Sequence, residues 1–368
     1  MGNRLLVSLL TTATVAHLGM VTGCAPSAAR RAVYAHSSYY AHGRFVNQQP
    51  TSSLSAGNPF SVLWHFLTTK VPDREPTAPL PVVPLDIASL TDRRPELVRV
   101  TWLGHSSSLV EIAGYKLLLD PVLGFTIGPV AWVSPQRYTR TVPATAAQLP
   151  FIDAVLISHD HFDHLDRATI ELLRDKVGHF YVPLGVGSHL VRWGVAVGRI
   201  TELNWGEEAR LSGLTLVCTP THHGSGRGGR RDATLWGSWV MQAATCRLFF
   251  SGDGGYGPHF KTIGDAYGPF DLALMECGQY SPQWAPMHML PEQTVQAALD
   301  LRTRRMLPVH WAAFSESLHP WTEPVERALA EAARRGLPLT TPRLGEPVLI
   351  TDSTRWPTAA WWRLVRPQ

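Results

Sequence analysis

Ser158-His159-Asp160-His161-Phe162-Asp163-His164-Leu165-Asp166 follows directly on Ala154-Val155-Leu156-Ile157, an apolar run of the kind that lies buried in a sheet. Three histidines and three aspartates therefore crowd the place where a strand ends and a helix begins. His159 and His161 lie two apart, so an extended or turning backbone can aim both rings into one cavity. Asp163 and His164 come at the start of the next helix and can face that cavity from another side. Neutral imidazole and carboxylate are the ligands that borderline cations such as Zn²⁺ accept. Four donors so close together point to two metal ions, because a single tetrahedral ion would keep no open position for chemistry.

A two-metal site needs ligands from elsewhere, and other apolar runs end in them. A strand expected over residues 214–219 leads into Pro220-Thr221-His222-His223. One expected over 247–250 leads into Ser251-Gly252-Asp253-Gly254-Gly255, and Met306-Leu307 leads into Pro308-Val309-His310-Trp311. Further strands are expected at 98–102, 108–112, 115–119, 236–242 and 272–275. Helices are expected at 166–176, at 291–304 with proline in the first turn, and at 324–335, stopped by Gly336. Strands come first and are then mixed with helices, which makes residues 96–352 an α/β or α+β domain.

These motifs resemble the metallo-β-lactamase superfamily, in which His-x-His-x-Asp-His holds two metals at the edge of a four-layer αββα sandwich. The likeness narrows to the N-acyl-phosphatidylethanolamine phospholipase D-like branch. It is carried by Thr101-Trp102-Leu103-Gly104-His105, Leu119-Asp120-Pro121, His223-Gly224-Ser225-Gly226-Arg227-Gly228 with Thr234-Leu235-Trp236, Gly252-Asp253 with Gly255-Tyr256, His288-Met289 with Pro291-Glu292, and His310-Trp311. The resemblance implies that one metal takes His159, His161 and His223, that the other takes Asp163, His164 and His310, and that Asp253 bridges them. His222 remains a rival to His223. His288 would face the substrate or handle a proton, and His105 would support a ligand from behind. Gln283 stands where relatives commonly carry arginine, which weakens any phosphate contact from that loop.

Composition bounds the rest. Of 368 residues, 45% are apolar and 17% charged, which excludes a chain disordered over most of its length. A net charge of +4 is too mild for a nucleic-acid binder, and none is expected as a partner. Sixteen histidines outnumber the 12 phenylalanines and 9 tyrosines, an excess that one metal site largely absorbs. Arg4, an apolar stretch and Val21-Thr22-Gly23-Cys24 read as a signal peptide over 1–23 with a lipobox, so that a lipidated Cys24 would anchor the chain in a bacterial cell envelope. An ordinary signal peptide in which Cys24 is incidental is the alternative. Residues 24–95, rich in Ser, Ala and Pro, read as a connector partly packed on the core, and 353–368 as a tail. Cys218, Cys246 and Cys277 read as small buried residues.

The expected function is that of a hydrolase using hydroxide generated on two divalent ions, most simply zinc. A phosphodiesterase of phospholipase D type acting on N-acyl-phosphatidylethanolamine-like lipids is the first reading. Arg227 is a candidate phosphate clamp, or else a structural salt bridge. The alternatives are a lactonase or β-lactamase-type carbonyl hydrolase and, in a different class, a non-catalytic metal-binding envelope lipoprotein.

Overall fold

The structure is a computed structural model that describes residues 33–50, 68–130, 134–227, 230–352 and 356–365, together with Trp64 and Trp132. The expected leader and Cys24 lie outside the described residues. Two short strands, β1 (Tyr40–Ala41) and β2 (Arg44–Phe45), form a hairpin near the start. The first large sheet holds β3 (Arg99–Gly104), β4 (Ser107–Ile112), β5 (Tyr115–Leu119), β6 (Ile152–Leu156), β7 (Val177–Pro183) and β8 (Ile200–Leu203) in that order. The second holds β9 (Glu208–Leu211), β10 (Leu214–Thr219), β11 (Ser238–Ala243), β12 (Arg247–Phe250), β13 (Leu272–Glu276) and β14 (Met306–Val309), again as neighbours in chain order. A last strand, β15 (Pro347–Leu349), returns to pair with β3 and closes the first sheet.

Alternation along the strands assigns their two faces. In β5, Leu117 and Leu119 enter the cluster between the sheets, where they meet Leu216, Trp239 and Phe250 of the second sheet, whereas Leu118 faces outward. That outward face is covered by α1 (Arg167–Leu173) and α2 (Gly187–Arg192), through Ile170, Leu173 and Leu190. The outer face of the second sheet is covered by α3 (His259–Tyr267), α4 (Pro291–Asp300) and α5 (Glu323–Arg335), through Phe260, Val295 and Ala328. Period-two strands with both faces buried between helices give the four-layer αββα sandwich. The Asp166 carboxylate caps α1 by accepting the N–H groups of Ala168 and Thr169, and Gly336 ends α5 in the left-handed region at φ 71°.

Strand direction places the site. β3 and β5 flank antiparallel β4, and β5 runs parallel to β6. β10 and β12 flank antiparallel β11, and β12, β13 and β14 run parallel. Within each sheet the strands whose ends carry candidate donors thus point the same way, and those donors come after their carboxyl ends.

The described residues outside 96–352 are not appendages. Tyr34 and Phe45 lie in the core between the sheets, so the connector joins the domain from its first described residues. The tail expected over 353–368 is corrected. Trp361 and Trp362 are buried against Trp311, with ring centroids 5.6 and 5.4 Å apart, and Trp311 also stacks on Trp102 and Trp321. Two large aromatic side chains bury too much apolar surface to stay in solvent beside such a cluster. Trp361→Ala should cost about 3–5 kcal/mol of stability, read as a lowered midpoint in chemical denaturation. An unchanged midpoint would show the segment to be dispensable.

Candidate metal centre

Four overlapping groups of donors form at the strand ends, and two of them hold most of the expected ligands. His159, His161 and His223 place ligand atoms within 4.8 Å of one another, as do Asp163, His164 and His310 together with His105. In the first group His161 Nδ1 lies 2.9 Å from His159 Nε2 and 3.2 Å from His223 Nε2. In the second, His164 Nε2 lies 3.0 Å from Asp163 Oδ2 and 3.1 Å from Asp253 Oδ2, while His310 Nε2 is 3.2 Å from Asp253 Oδ2. His223, not His222, enters the cluster; His222 instead bridges to the backbone of Gly255.

The supply of protons, more than the distances, points to cations here. An ion with nitrogen and oxygen ligands at roughly 2.0–2.2 Å has tetrahedral donor–donor edges of about 3.3–3.6 Å, and the donors here, 2.9–3.2 Å apart, lie slightly closer than that. Three buried imidazoles facing one another share too few protons to pair. Burial, then the neighbouring histidines, holds His159 and His223 well below the ordinary histidine range, and burial lowers His161. They are therefore neutral, the form that ligates. Asp253 Oδ1 and His164 Nε2 are buried without a hydrogen-bond partner. Against the pull of burial, Asp253, Asp163 and Asp120 hold a proton on His164 well above the usual range. A cation is what such a carboxylate set would otherwise attract.

A family model described as a beta-lactamase superfamily domain matches residues 115–311. The chain belongs to the metallo-β-lactamase superfamily. It is 41% identical over 346 residues to an uncharacterized protein of Mycobacterium tuberculosis (strain H37Rv), covering 92% of this chain and 91% of that one. It is 33% identical over 227 residues to the N-acyl-phosphatidylethanolamine-hydrolyzing phospholipase D 1 of Caenorhabditis elegans, covering 58% of this chain and 64% of the relative. Igni18, a metallo hydrolase of the archaeon Ignicoccus hospitalis, shares the fold with a TM-score of 0.52 at 23% identity, over 68% of this chain and 97% of its own. This superfamily member is a metal-dependent hydrolase, and its clustered histidines and aspartates are groups that could hold a metal ion.

The candidate donors are held from behind. His164 Nδ1 bonds Asp120 Oδ2 at 2.6 Å, and Asp120 also accepts from the backbone and hydroxyl of Ser158. Ser106 Oγ sits 3.0 Å from His310 Nδ1, leaving Nε2 for the metal side. His105 Nε2 bonds Asp163 Oδ2 at 3.0 Å, and His105 is itself grouped with Asp163, His164 and His310 among the possible donors. Asn47, from the N-terminal arm, donates to the His223 carbonyl at 2.7 Å and accepts the His223 N–H at 3.1 Å.

Arg227 requires a correction. Its Nη1 faces the carbonyls of Asp160 (3.2 Å), His161 (3.3 Å) and Leu165, and the guanidinium lies over the rings of Phe162 and Trp193 at 4.2 and 5.0 Å. It is a brace under the histidine loop rather than a phosphate clamp, because its charge is already spent on loop carbonyls and aromatic faces. Asp160 completes that brace by accepting the Gly226 N–H at 2.8 Å.

The donors open into a cavity of about 230 Å³ whose other walls are Gln279, Trp284, Met287, His288 and Glu316. His288 is where the sequence placed it, and its partner was not anticipated. Glu276, the fully buried last residue of β13, accepts from His288 Nδ1 at 2.8 Å through Oε2, and from the Met289 N–H at 2.6 Å through Oε1. Glu316 was not anticipated either; burial together with Asp163 and Asp253 pushes its carboxyl well above the usual range. Glu276 reads as one more residue of an apolar strand and Glu316 as a loop acid, so neither carried a spacing signal.

Proposed function

We propose that this hydrolase is a phosphodiesterase with two zinc ions, acting on N-acyl-phosphatidylethanolamine-like lipids. The observation that carries the reading is the pairing of two donor groups with the His288–Glu276 dyad on one cavity wall. His159, His161 and His223 would hold one ion, Asp163, His164 and His310 the other, with Asp253 shared. Bound there, the ions supply water activation at neutral pH and polarise a phosphoryl oxygen.

The chain's own residues do the rest. Burial opposes a charge on His288, but Glu276 raises it to about 9, so the ring carries a proton at neutral pH. With Nδ1–H committed to Glu276, Nε2–H is the proton available to the departing alkoxide. Met289 N–H and the dyad keep that ring in place. The name of the Caenorhabditis elegans relative supports a phosphodiester substrate. A neutral lactone or lactam is the second reading, favoured by a cavity that no lysine or arginine lines among the described residues.

The test measures zinc per chain while assaying phosphodiester, lactone and β-lactam substrates before and after chelation. Phosphodiester hydrolysis that is lost on chelation and restored by zinc is expected. Full activity in the metal-stripped protein, or turnover confined to the carbonyl substrates, would refute the reading.

A further inference from the structure

His223 stands four residues beyond the end of β10, outside the ladder of the second sheet, yet it is the donor that this sheet brings to His159 and His161. Its ring is fixed at Nδ1, which donates to the Met287 carbonyl at 3.0 Å and leaves Nε2 toward His161. Its backbone is fixed by one side chain. Asn47 Nδ2 donates to the His223 carbonyl at 2.7 Å, and Asn47 Oδ1 accepts the His223 N–H at 3.1 Å. A primary amide carries an N–H beside a C=O, so it pairs with both polar groups of one residue as a neighbouring strand would. Among the described residues no other group bonds that N–H or that carbonyl.

Asn47 is itself held in place. Its Oδ1 also accepts Trp236 Nε1–H at 3.0 Å. Two residues earlier Phe45 lies in the core between the sheets, its ring 5.3 Å from Tyr34 and its N–H donated to the Asp232 carbonyl at 2.8 Å. The rest of the loop after β10 has anchors of its own. Thr221 Oγ1 donates to the Asp253 carbonyl at 2.9 Å, and the His222 carbonyl accepts the Gly255 N–H at 2.8 Å. Loss of the Asn47 amide would therefore leave that loop attached and free the backbone of His223 alone. Buried polar groups left without partners turn toward others or toward water, and the ring turns with them.

We propose that Asn47 is a positioning residue for His223, so that the N-terminal arm governs the ion that His159, His161 and His223 would hold and leaves the group of Asp163, His164 and His310 intact. This selectivity rests on the two-ion assignment; the hold on His223 does not.

The experiment titrates zinc into metal-free full-length protein against a chelating dye, and follows amide hydrogen exchange at His223 before zinc is added. The wild type should take up two ions. Asn47→Ala should weaken one of them about 10–100-fold, the effect typical of losing a partner behind a ligand, and leave the other unchanged. Asn47→Leu keeps the volume and loses both hydrogen bonds; it should do the same, and decides the matter should the alanine variant not fold. In a His223→Ala background Asn47→Ala should add no further loss, because both changes act on one ligand. Leu173→Ala, a void at the far end of α1, should lower the thermal midpoint without moving either zinc affinity. Wild-type zinc affinities in both Asn47 variants, or the same loss in Leu173→Ala, overturn the proposal. A wild type that takes up fewer than two ions refutes the two-ion assignment. The exchange measurement then decides: faster exchange of the His223 N–H in Asn47→Ala supports the positioning role, and unchanged exchange overturns it.

Discussion

Asp253→Asn should remove metal and hydrolysis together. Its Oδ2 is within 3.2 Å of both His164 Nε2 and His310 Nε2, and its Oδ1 is buried with no protein partner. Despite burial, which raises it, His164 and His310 hold this carboxyl well below the usual range. It is therefore ionised at neutral pH, and its charge offsets the ions it would share. Asparagine keeps the shape and loses the charge. Loss of an outer partner of a ligand costs about 10–100-fold in metal affinity, and loss of a ligand should exceed that. Zinc per chain and competition with a chelator measure the first effect, and diester turnover the second. A variant with full zinc content and wild-type turnover would show that Asp253 is not a shared ligand.

The second large effect belongs to His288. His288→Ala should lower kcat by about 10²–10⁴-fold on a diester with a poor leaving alcohol. A p-nitrophenyl ester, whose leaving group needs no proton, should be affected far less, and zinc content should not change. The pH profile gives the sign. His288 is raised to about 9, so its acid form is present below that value and lost above it; activity should fall as pH rises through about 9. Glu276→Gln takes away the anion that sustains the proton. Burial then prevails, and the alkaline limb should move to lower pH while zinc content stays constant. A limb that does not move would leave Glu276 a packing residue only.

Much of this site was legible because chemistry and pattern coincided. The histidine run sits after an apolar strand, and His223, Asp253 and His310 each follow another, so strand ends and donors could be found together. The strands predicted at 108–112, 115–119, 214–219 and 247–250 are those observed, because alternating or continuous apolar runs record burial directly. What escaped lacked such a record. β8 and β9 read Ile-Thr-Glu-Leu and Glu-Ala-Arg-Leu, half-exposed strands toward the sheet edges, where polar residues are tolerated. The helix expected over 291–304 ends at Asp300, and α3 opens on histidine with no capping side chain. Asn47 touches His223 across 176 residues, and Trp361 and Trp362 pack against Trp311, which follows the candidate donor His310. Such contacts between distant segments leave no periodicity to read. Arg227 misled for a related reason: a guanidinium in a glycine-rich loop looks the same whether it awaits a phosphate or clasps its own backbone.

The contact between Asn47 and His223, and the tryptophans behind His310, also bear on when metal can arrive. The donors are strung from His159 to His310, one of them, His223, is braced by Asn47 near the start of the described chain, and the residue after another, Trp311, packs against Trp361 and Trp362 near its end. A chain still being synthesised presents only fragments of this arrangement. The free energy of metal binding therefore acts on the finished fold, as a late lock on the assembled sandwich and not as a seed for it.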